Sequence, residues 1–154
     1  LDCDILVTGR VDTILDLELE NKLYTIQEGN TNHVLWGKRF FDEKNPEFLG
    51  KNAFSSGIML FNNHIEIKQL FSSINNHVKI HIDQKLPIDP TLDQPFIVYH
   101  AVISNLYDNE RLKGMVVNNP TSYNHEIISH FPGGPGRYSS KIEKMQNFKK
   151  LFLK

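Results

Sequence analysis

Cysteine is nearly absent: Cys3 is the only one in 154 residues. That excludes an intrachain disulfide and any cysteine-rich zinc site, and leaves the compartment undetermined. Long hydrophobic runs are missing too. The longest, residues 58–61 and 96–98, fall far short of the roughly 20 residues that span a bilayer, and the opening residues carry no signal-peptide pattern. The chain therefore reads as soluble, with no membrane partner and with a cytoplasmic location expected over a secreted one. Neither sign of charge is in excess. Seventeen basic and eighteen acidic side chains leave a formal charge of -1, so no global field attracts nucleic acid, and Lys149, Lys150 and Lys154 read as a solvated helix end. Low-complexity tracts and internal repeats are lacking. What is present, 40% hydrophobic and 23% charged residues, suits a folded chain with room for one domain and not for two of ordinary size.

Residues 1–7 read as the end of an apolar strand, which opens on Leu1 and not on methionine. Residues 11–19 fit a short helix or a sheet edge equally. The stretch 24–50 holds Gly29, Gly37, Pro46 and Gly50 among the aromatics Trp36, Phe40, Phe41 and Phe48, and reads as a structured loop region with short elements. Residues 56–61 are a short apolar run bounded by asparagines, which predicts a buried central strand. Ile67, Leu70, Phe71, Ile74 and Val78 fall on one helical face. Pro87 and Pro90 interrupt that pattern. Asp93 then caps a second helix with Pro95 in its first turn and Phe96, Tyr99, His100 and Ile103 facing inward. Residues 115–117 and 126–129 are strand-like, and Ser140 with Glu143 forms a capping box for a last helix carrying Ile142, Met145, Phe148 and Phe152. Strands alternating with helices imply an α/β fold whose chemistry gathers at the strand ends.

Four segments could carry that chemistry. In Asp2-Cys3-Asp4 two carboxylates two positions apart point the same way from a strand end, so they can share one hard divalent cation; a solvated turn explains them as well. In His130-Phe131-Pro132-Gly133-Gly134-Pro135-Gly136 the glycines let backbone N–H groups approach an anion beside an imidazole, and a tight turn with a satisfied histidine is the plain alternative. Arg137 and Lys141 follow as cations for a diphosphate, or as helix-start charges facing water. Asp93 and Gln94 stand where a helix begins, for which capping is sufficient explanation. His77 and His81 have the spacing of a zinc pair but no third ligand, and read as a polar helix face.

In this order the segments resemble the nucleotide-sugar glycosyltransferases of the GT-A fold, family 8 or close relatives, a group that includes glycogenin, bacterial cell-surface galactosyltransferases and enzymes of large DNA viruses. Leu1-Asp2-Cys3-Asp4-Ile5-Leu6-Val7 is similar to the family's metal-binding strand end (DxD motif), and Ala53-Phe54-Ser55-Ser56-Gly57-Ile58-Met59-Leu60-Phe61-Asn62 to its Phe-Asn-Ser-Gly strand. Leu92-Asp93-Gln94 resembles its Asp-Gln helix start, and His130-Phe131-Pro132-Gly133 its His-Phe-x-Gly motif. The resemblance runs from Leu1 to about Lys144. It implies that Asp2, Asp4 and His130 ligate Mn²⁺ or Mg²⁺, that Ser55, Ser56 and Gly57 line the sugar pocket, and that Asp93 and Gln94 act at the reacting carbon. Gly133, Gly134 and Gly136, with Arg137 or Lys141, are then expected to hold the diphosphate. Ser55 stands where the family has asparagine, and the Lys-Pro-Trp that follows the glycine in the family is absent.

The implied reaction moves a sugar from a nucleotide-diphosphate-sugar donor, a UDP-sugar foremost, to a hydroxyl of a carbohydrate or protein acceptor. A divalent metal would stabilise the leaving diphosphate as a Lewis acid. In the family the metal-binding strand follows strand-helix units that hold the nucleoside. At roughly 30 residues per unit these need about 60 to 100 residues ahead of Leu1. The chain is therefore expected to be a partial catalytic domain over residues 1–154, the metal-binding and acceptor half, with its N-terminal nucleotide-binding units missing and with weak nucleotide binding and activity of its own. The rival expectations are a non-catalytic sugar-binding or degenerate transferase module, and a metal-dependent hydrolase of nucleotide sugars.

Overall fold

A computed structural model describes residues 4–87, 91–133 and 138–153. Its strands are β1 (Ile5–Val7), β2 (Leu23–Asn30), β3 (Asn52–Leu60), β4 (Tyr107–Asp108), β5 (Val116–Asn118) and β6 (Ile128–His130). Its helices are α1 (Asp12–Leu15), α2 (Lys38–Lys44), α3 (Ile65–Asp83), α4 (Gln94–Ile103) and α5 (Tyr138–Phe152). Two small mixed sheets flanked by helices make this an α/β protein. Each sheet lies in its own compact unit, Leu19–Arg111 for one and Leu1–Glu18 with Leu112–Lys154 for the other.

In the Leu19–Arg111 unit the sheet order is β3-β2-β4, antiparallel between β2 and β3 and parallel between β2 and β4. Strand β2 lies in the region that the glycines made look like a loop. It forms because Leu23, Tyr24 and Thr25 are all buried, Thr25 also donating to Asn109 Oδ1 at 2.6 Å. Gly29 belongs to the irregular end of the ladder. Its φ is +68°, and a Cβ there would meet the Trp36 ring at 2.5 Å, so glycine is required for both conformation and space. Strand β3 holds the expected apolar run but stands at the edge of this sheet, not at its centre. Its burial comes from the helical side, where Phe54 joins Phe41, Leu70, Phe96 and Val98 in one cluster.

Helix α3 buries Ile67, Leu70 and Ile74 on the stripe expected of them. The same stripe continues through His77 and His81, which overturns the expectation of a polar face. His81 is 4% exposed, and the His77 ring lies 4.7 Å from Phe40 and 5.0 Å from Phe96 between ring centroids. Positions 74, 77 and 81 are spaced three and seven apart, so helical geometry turns both imidazoles inward whatever their polarity. Helix α4 is buried almost all round, Pro95 through Tyr99 with Ala101 and Val102, as suits a helix inside a layer of others. Asp93 occupies its N-cap position, but the residue is already helical (φ -85°, ψ -23°) and its side chain makes no capping bond. The start of α4 is held instead by Thr91 Oγ1 and Gln94 Nε2, both donating to the Leu35 carbonyl at 3.2 Å.

In the other unit the order is β1-β6-β5, with β6 antiparallel to β1 and parallel to β5. Ile5 faces His130, and Asn118 faces His130 from the other side. Backbone bonds extend both pairings by one residue, Phe131 N–H to Asp4 O at 2.9 Å and Asn119 N–H to His130 O at 2.7 Å. Helix α5 begins at Tyr138, so Ser140 falls inside its first turn and is not the N-cap that the capping-box spacing predicts. Phe148 anchors this helix against Phe131, 5.6 Å between centroids. Among the described residues no helix is long and apolar enough to cross a membrane.

Candidate functional site

Residues 4 and 130 become neighbours because β1 and β6 pair with Ile5 opposite His130. Both side chains are buried, Asp4 at 6% and His130 at 3% exposure. Asp4 Oδ1 lies 3.5 Å from His130 Nε2, and Asp4 Oδ2 accepts from Lys141 Nζ at 2.6 Å. Lys141 reaches in from the first turn of α5. A buried carboxylate needs a compensating charge, and this ammonium is one.

The second nitrogen of His130 defines its chemistry. Nδ1 lies 2.8 Å from Asn118 Oδ1, and a carbonyl oxygen only accepts, so Nδ1 carries a proton, while Nε2 faces Asp4 Oδ1, an ion-pair partner when the ring is protonated and a ligand atom when it is neutral. Asp4 Oδ1 is buried and makes no hydrogen bond. Either a proton on Nε2 or a cation held between the two atoms satisfies this contact. Two ligands each about 2.1 Å from one ion, subtending 90 to 110°, lie roughly 3.0 to 3.4 Å apart. The Asp4 and His130 atoms come close to that separation, so these residues fit a divalent cation. Asn118 then serves as the outer partner that orients the imidazole. Asp2, expected as the third ligand, lies outside the described residues, and among the described residues no three acidic, histidine or cysteine side chains converge on one point.

Beside this cluster is a small polar pocket of about 110 Å³ lined by Asn119, Phe131, Pro132, Gly133, Ser140, Lys141 and Lys144. Its cations and exposed glycine suit an oxyanion. Of the residues expected at the diphosphate, Gly133 and Lys141 are here. Gly134, Gly136 and Arg137 lie outside the described residues.

The expected sugar-pocket and catalytic residues belong to the Leu19–Arg111 unit. Ser55 is buried, and its Oγ accepts from the Gly57 N–H at 3.4 Å. Gln94 Oε1 accepts from the Ser56 N–H at 3.2 Å and from Ser56 Oγ at 3.5 Å, while its Nε2 donates to Leu35. Both ends of this amide are thus occupied in tying β3 to the start of α4. Asp93 is exposed, one residue after Leu92, whose φ of +53° is left-handed without being glycine.

Sequence reasoning missed Asn118, Lys144 and Glu28. Asn118 ends a parallel strand in register with His130, a relation only the pairing reveals. Glu28 is half-buried on β2; burial pushes its carboxyl above the usual range, opposed by a hydrogen bond with Ser55. A half-buried carboxyl group thus stands next to the serine expected at the sugar. No protein-family model matches the chain, and comparison with curated proteins and with solved structures gives no match.

Proposed function

We propose that the chain is the metal-binding and acceptor half of a GT-A glycosyltransferase, family 8-like, moving a sugar from a nucleotide-diphosphate-sugar to an acceptor hydroxyl. The observation that carries the reading is the meeting of Asp4 and His130 from opposite ends of the sequence, with an unbonded buried carboxylate oxygen 3.5 Å from the imidazole nitrogen. A bound Mn²⁺ or Mg²⁺ supplies Lewis-acid stabilisation of a leaving diphosphate. Asp4 and His130 hold it, Asn118 keeps the ring in the ligating tautomer, and Lys141 and Lys144 add positive charge where the phosphate oxygens sit. Gly57 and Glu28 offer backbone and carboxyl groups to a sugar, and Ser55, itself buried, acts through its hydrogen bond with Glu28. Asp93 is the exposed carboxylate available to an acceptor hydroxyl, and Gln94 fixes the geometry around Ser56.

Manganese-induced line broadening in NMR spectra of the chain tests the metal step. Broadening centred on residues 4, 118 and 130, lost in Asp4→Asn, is expected; none at millimolar Mn²⁺ refutes it. Transfer of labelled sugar by a protein that contains this chain tests the reaction, with free sugar and no conjugate marking hydrolysis. One observation favours the rival, a degenerate module without catalysis: Lys141 already neutralises Asp4 at 2.6 Å. Under that reading Asp4→Asn disturbs stability alone.

A further inference from the structure

A lysine side chain is a compact charge on a flexible stem, so one ammonium can serve two partners within its reach. Lys141 has two. Its Nζ donates to Asp4 Oδ2 at 2.6 Å, and the residue also forms part of the wall of the 110 Å³ polar pocket, beside Asn119, Gly133, Ser140 and Lys144. The pair is well buried, with 13% and 8% of the two side chains exposed. Among the described residues no carboxylate lines the pocket.

This arrangement suits neither ligand by itself. A divalent cation between Asp4 Oδ1 and His130 Nε2 shares its carboxylate with an ammonium, and two cations on one carboxylate repel each other. An oxyanion in the pocket meets Lys144, but it finds the charge of Lys141 already committed to Asp4, whose carboxylate repels it. Formal charges express the same conflict. Asp4, Lys141 and Lys144 together carry +1; a divalent cation alone raises this to +3, a doubly charged oxyanion alone lowers it to -1, and the two together restore +1. Burial of the Asp4–Lys141 pair limits the screening that water and salt would otherwise provide. With both ligands present, the metal takes over the neutralisation of Asp4, and Lys141 joins Lys144 on the anion.

We propose that Lys141 is a charge switch coupling the two parts of the site: it holds Asp4 while the pocket is empty, and passes to an oxyanion in the pocket when a divalent cation takes the carboxylate. The switch rests on the metal reading of Asp4 and His130. Its consequence is that each ligand tightens the other by the same factor. The test is Mn²⁺ titration of the chain, followed by water-proton relaxation, in sodium sulfate and in sodium chloride of equal ionic strength, with sulfate as the single-group oxyanion. Sulfate is expected to tighten Mn²⁺ binding by wild type about tenfold. Lys141→Met binds Mn²⁺ equally in both salts, because the ammonium that the anion draws off Asp4 is gone. Lys144→Ala, an exposed helix position, stays within about twofold of wild type in chloride and loses most of the sulfate effect. That variant serves if Lys141→Met alters the fold. Equal or weaker wild-type binding in sulfate, or a sulfate effect undiminished in both variants, overturns the switch and leaves the metal reading standing. No Mn²⁺ binding by wild type or Lys141→Met in either salt overturns both.

Discussion

Replacing Lys141 with methionine asks whether the ammonium on Asp4 stands in for a metal or excludes one. The two groups are 2.6 Å apart, with side chains 13% and 8% exposed. At an effective dielectric near 20 their attraction is roughly 6 kcal/mol before desolvation. Removing both charges from water offsets most of this and leaves a net of about 1 to 3 kcal/mol. A cation binding at Asp4 works against that interaction, so Lys141→Met is expected to tighten Mn²⁺ binding by roughly 5- to 150-fold. Methionine keeps the length of the stem and its contacts, which limits the change to the charge. The assay is Mn²⁺ titration followed by water-proton relaxation, on wild type, Lys141→Met and the double variant Asp4→Asn/Lys141→Met. The double variant is expected to bind no Mn²⁺ at this position. Equal affinity in wild type and Lys141→Met, or binding that survives in the double variant, refutes the reasoning.

Asn118→Ala removes the acceptor that fixes the His130 tautomer and is expected to weaken Mn²⁺ binding by about 10- to 100-fold in the same relaxation assay. His77 makes the fold sensitive to acid. Burial first, then His100, Lys44, His81 and Arg39, push it down from 6.5 to about 4. The folded form thus resists protonation that the unfolded chain accepts, so its contribution is present above pH 6.5 and is lost as pH falls toward 4. The full shift corresponds to about 3.4 kcal/mol, reduced to about 1 to 2 because the ring is only half-buried and solvent screens it. Urea melts at pH 7.5 and 4.5 are expected to differ by that amount less in His77→Phe than in wild type, and an equal difference in both contradicts the assignment. Gly29→Ala is expected to destabilise the Leu19–Arg111 unit by about 2 to 4 kcal/mol, from the left-handed backbone and the forced shift of Trp36; a denaturation midpoint unchanged from wild type would show that the ring moves freely.

Much of the local structure was legible in the sequence. Ile67, Leu70, Phe71, Ile74 and Val78 mark α3 because helical periodicity is a property of neighbouring residues, and Pro95 marks the first turn of α4 for the same kind of reason. The apolar residues 56–61 announced β3, although its place at a sheet edge was not readable from its composition. Strand β2 was hidden because Gly29 signals a turn by itself, whereas here it relieves a close approach by Trp36. The two histidines of α3 were misjudged by residue type, although their spacing already aligned them with Ile74.

What the sequence determined alone is the supply of chemistry: an acid beside one strand end, an imidazole at another, and glycines and cations after it. Tertiary structure decided which of these meet. The β1–β6 register sets Asp4 beside His130 across more than a hundred residues, the parallel β5–β6 register brings up Asn118, and α5 swings Lys141 onto the carboxylate. Strand register depends on which apolar faces are buried together and on hydrogen bonding between distant segments, neither of which is encoded within any short stretch of chain.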